Sequence, residues 1–330
     1  MQGQDAPGIV SGRMVPGTGQ RSLADGARRR LYVNAFCSGA RIFGDCVSTP
    51  IVVPSKYLRQ IQQWQTQREE HLLAPSGWLS LVGFGWLKPG ANRVGRDADN
   101  DIRIASGPAH LGVITLEQSG GVHVRLEAGS NATIDGTSLR EAELFDDIQA
   151  SGKPTTVRFG TASLHVIARD GRKGLRVKDD ASATRKHFGG LDYFGIDFYW
   201  RVVADWIPFA TPTKLTLTKR LGTQSVVDVP GKAVFRLYGR AHELLPYRER
   251  PDGELIFVLA DQTSGRETYI NARFLYAALP ESGKVVLDFN KAHNPPSAFT
   301  PYANCPLAPP ENRLALPVTA GEMRYRGDQF

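Results

Sequence analysis

Carboxylates, amides and one imidazole recur in the last third of this chain, at Asp261, Asp288, Asn290, His293, Asn294, Glu311, Asn312 and Glu322. They stand between short apolar runs and beside a stretch, residues 294–317, that carries Pro295, Pro296, Pro301, Pro306, Pro309 and Pro310. Proline fixes φ and donates no ladder bond, so this stretch reads as a stiff extended loop able to hold polar groups in place. Oxygen-rich sets suit hard cations, and several carboxylates together can divide acid and base work. On that chemistry the candidate catalytic groups are Asp261, Asp288, Glu311 and His293. Thr263, Ser264, Tyr269, Arg273, Asn290, Asn294, Asn312 and Glu322 are the candidate ligand-binding groups, a set fitted to a small anionic or metal-associated ligand. The alternative is structural: Asn and Asp shape turns, Asp288 pairs with Arg273, and Glu311 pairs with Arg313.

No spacing matches a compact metal signature, and no CxxC pair occurs, so metal and cofactor stay unassigned. Ser264 lies in Thr-Ser-Gly without a nucleophile elbow, and Cys305, followed by Pro306, reads as a packed thiol. Three cysteines in 330 residues are too few for a disulfide framework, which favours a reducing compartment. The chain lacks an apolar run of about 18 residues and an N-terminal signal stretch, so the expectation is a cytoplasmic protein without membrane contact. A net charge of +7 raises the question of nucleic acid. Six Arg against three Asp fall in the first fifty residues, and elsewhere acids interleave with bases, which argues against such a partner.

The elements that must carry these groups are mostly strands. Residues 1–50 lack a sustained period and read as a disordered tail. Tyr57, Leu58, Ile61, Trp64 and Leu72 then recur at helical spacing, predicting one amphipathic helix that Ser55 is placed to cap and whose Trp64 stripe packs on a sheet. From Gly77 onward short apolar runs alternate with turn residues. They include Trp78 to Val82, Val113 to Leu116, Val122 to Leu126, Leu164 to Ala168, Lys214 to Thr218, Ala233 to Tyr238, Leu255 to Ala260 and Val285 to Phe289. Gly120-Gly121, Asp135-Gly136 and Asp170-Gly171 supply tight hairpins. Arg172, Lys173, Arg176, Lys178, Arg185 and Lys186 make a local basic run, broken by Asp179 and Asp180, that reads as a solvated strand and turn. The aromatic segment from Tyr193 to Phe209 reads as core or junction.

Within residues 84–168 the order Gly95-Arg96, Asn100-Asp101-Ile102, Ser106, His110 and Asn131 to Thr137 resembles forkhead-associated (FHA) domains. That resemblance implies an antiparallel β-sandwich and a phosphothreonine site at Arg96, Ser106 and Asn131. The sequence departs from the pattern at Gly107-Pro108, where the family commonly presents Arg. The structural alternative has Arg96 paired with Asp99 or Asp101 and His110 bonded to backbone.

Asp261-Gln262-Thr263-Ser264-Gly265, Arg273-Phe274-Leu275, Asp288-Phe289-Asn290, Asn294-Pro295, Cys305-Pro306-Leu307, Pro310 to Leu314 and Ala320-Gly321-Glu322 resemble a second family. With Gly77 to Leu81 and Gly174 to Val177, the likeness spans roughly residues 60–325 and is to the bacterial domain of unknown function 1684. The family implies no activity. His293 stands where it often has Tyr and Ser297 where it often has Cys, so a disulfide or two-thiolate site with Cys305 is not implied here.

The expected architecture is mainly β. Residues 1–50 are a tail, 51–82 a helix and lead-in, 83–180 an FHA-like antiparallel sandwich, and 181–330 a second antiparallel β domain. The second domain is the expected seat of a small-molecule site with hydrolytic chemistry, and a non-enzymatic phosphopeptide-binding module is the alternative.

Overall fold

The computed structural model describes residues 53–151, 153–250 and 252–327; the expected tail, with Cys37 and Cys46, lies outside them. Helix α1 spans Ser55–Leu73 and buries Tyr57, Ile61 and Leu72, which its period places on one stripe. Ser55 does not cap it. Pro54 holds the N-cap position, and its carbonyl accepts from the amide of Leu58 at 3.0 Å. Leu72 packs with Leu79, Phe299 and Tyr325, which ties the helix end to the far C-terminal chain. The first expected strand begins late. Trp78–Ser80 form a 3₁₀ turn in which the Ser80 hydroxyl donates to the Gly77 carbonyl at 2.7 Å, a local bond that competes with a ladder.

Ten strands follow: β1 (Leu81–Trp86), β2 (Gly90–Gly95), β3 (Ile102–Arg103), β4 (Gly112–Leu116), β5 (Val122–Leu126), β6 (Thr133–Ile134), β7 (Glu141–Glu143), β8 (Thr156–Phe159), β9 (Ala162–Arg169) and β10 (Arg172–Asp179). They build two five-stranded sheets, β1-β10-β9-β8-β6 and β3-β2-β4-β5-β7. Only the short β2–β3 pairing is parallel. Alternation sets the faces: Val122, Val124 and Leu126 turn inward while His123 and Arg125 stay outside. Val94, Ile114, Leu164, Val166, Leu175 and Val177 join them in the core between the sheets. Asp135-Gly136 and Asp170-Gly171 adopt positive φ at both residues, as the expected hairpins require.

A four-residue helix, α2 (Ala183–Lys186), leads to β11 (Arg201–Thr218), β12 (Gln224–Leu237), β13 (Arg240–Leu244), β14 (Leu255–Leu259), β15 (Arg273–Ala277) and β16 (Lys284–Asp288). The order is β13-β12-β11-β16 in one sheet and β14-β15 in another. β11 is much longer than its apolar run suggested. Its ladder to β12 is irregular between Pro208 and Thr213, where Pro208 and Pro212 carry no donor. β14 is buried at every position. Phe257 and Leu259 pack with Phe235, Leu275 and Phe289, while Val258 turns to Leu81, Phe274 and Cys305 and so joins β1 to the C-terminal sheets. The proline-rich stretch is pinned rather than extended throughout. It forms 3₁₀ turns at Pro296–Ala298 and Pro310–Asn312 and bridges Lys219 through Pro306 and Ala260 through Arg313.

Gly222 and Gly321 separate the conformational from the steric demand on glycine. Their φ values are 81° and 78°, but an added Cβ meets nothing at Gly222 and lies 2.3 Å from the Ala292 carbonyl oxygen at Gly321. Gly222→Ala is expected to cost about 1 kcal/mol in urea unfolding, the left-handed penalty alone. Gly321→Ala is expected to cost more than about 2 kcal/mol, since backbone must also move. Equal losses at the two positions would contradict the close packing of Gly321.

Candidate functional site

Three of the acids singled out by the sequence, Asp261, Asp288 and Glu322, are buried in separate hydrogen-bonded networks instead of meeting on an open rim. Asp261 pairs with Arg273, not Asp288 with Arg273. Arg273 Nη2 donates to Asp261 Oδ2 at 2.8 Å and to the Val318 carbonyl at 2.9 Å, and Nη1 donates to the Ala320 carbonyl. The other carboxylate oxygen of Asp261 accepts from the amide and hydroxyl of Thr263 and from the Val318 amide. Thr263 also shares a hydrogen bond with Thr268, and the Ser264 hydroxyl accepts from the Asp261 amide. Tyr269 donates to the Ser297 carbonyl at 3.0 Å and accepts from Asn271. The Asp-Gln-Thr-Ser-Gly segment is therefore a self-bonded turn locked onto a buried ion pair.

Asp288 accepts from the Tyr57 hydroxyl at 2.7 Å, and Asn290 donates to that same hydroxyl and to the Asp197 carbonyl. Glu322, fully buried, accepts from Arg68 Nε and from the Asn294 amide, both at 2.8 Å. Burial pushes its pKa up, against the pull of Arg68. Asn312 clamps the backbones of Leu245 and Val258. Glu311 is exposed, and among the described residues no ion pair joins it to Arg313. His293 is enclosed by rings: Tyr276 stacks on it at 5.4 Å and Trp64 lies 5.9 Å away. Burial first, then the charge of Arg68, lowers its pKa to about 3, so it is a neutral imidazole held to the Lys291 carbonyl. Among the described residues no group of three His, Cys, Asp or Glu is arranged to hold a metal ion.

The FHA-type groups are placed differently from one another. Arg96 and Asn131 are exposed, Asn131 with φ of 51°. The Ser106 hydroxyl donates to Asp179 at 2.7 Å. The acids Asp99 and Asp101 pair with Arg93, not Arg96. His110 approaches Asp99 at 3.9 Å.

A cavity of about 250 Å³ lies where the outer face of the first sheet meets the C-terminal strands. β1, β9 and β10 supply Phe84, Trp86, Ile167, Arg169 and Arg176, and β11 and β12 supply Leu217, Ser225 and Val227 opposite. Tyr247 and Tyr302 complete its aromatic wall. Strand alternation dictates what β10 presents: with Leu175 and Val177 in the core, Gly174, Arg176 and Lys178 turn outward. Gly174 packs closely there, since a Cβ would lie 3.0 Å from the Phe84 ring.

Charges in this cavity are unequally matched. Arg169 pairs with Asp147 at 2.6 Å and Lys219 with Asp170 at 2.7 Å. Among the described residues no carboxylate lies within 4 Å of Arg176, whose guanidinium rests over the Trp78 ring at 5.1 Å. Burial and then Arg169 lower its pKa, yet a guanidinium stays protonated. Its field reaches its neighbours. His165 falls to about 4 and Lys178 to about 8, each through burial first and Arg176 next. Lys178 donates to the Ser76 carbonyl and Arg185 to the carbonyls of Leu73 and Asp180, so these two members of the basic run bond to backbone, while Arg172 and Lys186 are exposed.

The family model described as protein of unknown function (DUF1684) matches residues 186–323. Residues 186–323 belong to this family. The DUF1684 stretch holds the Asp261–Arg273 pair, Glu322 and the C-terminal wall of the cavity, while Arg176 precedes it. A solved structure is similar at 30% identity: the solution NMR structure of the uncharacterized protein from gene locus rrnAC0354 of Haloarcula marismortui. The match covers 42% of this chain and 78% of that one, with a TM-score of 0.36. No curated protein matches the chain. No helix among the described residues is long and apolar enough to cross a membrane.

Arg68, the Tyr57 hydroxyl and Arg176 are not among the site residues expected from the sequence. Arg68 was detectable as the position that fills the helical stripe between Trp64 and Leu72. Arg176 was detectable as an arginine flanked by two core residues on one strand.

Asp261→Asn strips Arg273 of its buried counter-charge and is expected to cost about 3–5 kcal/mol in urea unfolding. Glu311→Ala, at an exposed site, is expected to stay within about 0.5 kcal/mol. Similar losses for both would contradict this division. His165 and His293 are neutral when folded and free to protonate when unfolded, so the unfolded chain binds more protons below its own pKa of about 6.5. Their contribution is complete above that pH and is lost as pH falls toward about 4 for His165 and about 3 for His293, at most about 1.4 kcal/mol per pH unit per group. Unfolding free energies measured from pH 7.5 to 4.5 should fall less steeply in His165→Gln; an unchanged slope would refute the assignment.

Proposed function

We propose that this protein binds a small organic anion in the cavity between the β1-β10-β9 face and the β11–β12 hairpin, with Arg176 as the anchoring cation. One observation carries the reading: Arg176 is a partly buried guanidinium that lines a cavity and has no carboxylate partner among the described residues. Leaving a desolvated charge unpaired is costly, and a bound anion removes that cost while gaining a planar, two-pronged donor. Leu217 and Ile167 are buried in the floor, so the anchor acts beside apolar surface. Hydrolysis has less support. Asp261, Asp288 and Glu322 are held by internal hydrogen bonds, and Glu311 stands in solvent. The phosphopeptide alternative has less support as well, since Ser106 spends its hydroxyl proton on Asp179.

Thermal unfolding with increasing acetate, benzoate, inorganic phosphate and phenyl phosphate tests the reading. At least one anion should raise the Tm, by the equivalent of about 2.7 kcal/mol at a hundred times its Kd. Arg176→Gln should weaken that anion at least tenfold, whereas Arg96→Ala should leave it unchanged. A response lost in Arg96→Ala and kept in Arg176→Gln would transfer the site to the FHA-type loop.

A further inference from the structure

Resting on that anion-binding reading, we infer that the ligand is a small aromatic carboxylate carrying a single negative charge. The charge count comes first. Arg169 and Lys219 already have carboxylate partners, at 2.6 Å and 2.7 Å, so Arg176 is the lining cation left to neutralise. A second negative charge on the ligand meets no free cation in the lining. It meets instead Glu249, an exposed carboxylate on the same cavity that adds to the effect of burial in raising the pKa of Tyr247. A monoanionic carboxylate therefore fits better than a phosphate dianion, and its two oxygens match the guanidinium fork.

Shape supplies the second argument. Phe84 and Trp86, edge to face at 4.8 Å, line the cavity together with Tyr247 and Tyr302. The Arg172 guanidinium, which is not part of the lining, lies 4.3 Å from the Trp86 ring centre. Flat rings facing a volume of about 250 Å³ favour a planar apolar body by offset or edge packing. A bare small anion would leave Ile167, Leu217 and Val227 uncovered. Among the described residues the hydroxyls of Tyr247, Tyr302 and Ser225 bond to no protein group, so they remain as donors for substituents on the ring.

Isothermal titration of the full chain with benzoate, acetate, benzamide, inorganic phosphate and phenyl phosphate tests this directly. Benzoate should bind at least tenfold tighter than acetate, which lacks the ring, and than benzamide, which lacks the charge. It should also exceed phenyl phosphate at pH 8, where that probe is a dianion. Arg176→Gln should bring benzoate down to the level of benzamide, and Arg176→Lys should restore part of the loss. If acetate or inorganic phosphate binds as tightly as benzoate and depends on Arg176, the aromatic assignment fails while the anion reading stands. If none of the anions binds in an Arg176-dependent way, the anion reading itself fails.

Discussion

Arg176 has no freedom to choose its side of the sheet. Leu175 and Val177 are fully buried in the sandwich core, and the two-residue period of a strand then drives the guanidinium between them to the opposite face. On that face Arg176 is partly buried and lines the cavity, with Arg169 working against its charge and Asp147 for it. Moving it outward would require a register slip that exposes the whole core stripe. That placement puts the guanidinium on the cavity lining and adds to burial in lowering the pKa values of His165 and Lys178.

Other buried polar groups tie α1 and the C-terminal chain to the sheets. The Asp261–Arg273 pair ties the loop after β14 to β15 and to the backbone of Val318 and Ala320. Arg68 joins α1 to Glu322 and to the Asn294 carbonyl, and Tyr57 joins it to Asp288. These are buried polar networks with both partners present, which rigidify a fold more than they stabilise it relative to an apolar core. Removing one member is costly even though the whole network contributes little net energy. Asp261, Asp288 and Glu322 are thus held in internal hydrogen bonds, whereas Arg176 lines the cavity with no carboxylate within 4 Å among the described residues.

Local sequence made much of the fold legible. The helical stripe Tyr57-Ile61-Trp64-Leu72, the alternation in Val122 to Leu126 and the Asp-Gly hairpins each report a preference set within a few residues. The first half of β11 was hidden, because Pro208 and Pro212 interrupt the apolar pattern while its pairing with β16 comes from residues eighty positions away. Partner choice was hidden for the same reason. Nothing local distinguishes Asp261 from Asp288 as the mate of Arg273, or Arg93 from Arg96 as the mate of Asp101. Buried scaffold acids and catalytic acids share composition and turn-rich surroundings, so residue type alone could not separate them.

Arg176 brings to the cavity a positive charge with no carboxylate within 4 Å among the described residues, and the imidazole of His165 is its natural reporter. An NMR titration of His165 in the unliganded protein should give a pKa near 4, rising in Arg176→Gln as that repulsion disappears while burial persists. A His165 that titrates at the same pH in both proteins would mean that the guanidinium is already neutralised, and the account of this cavity would fall with it.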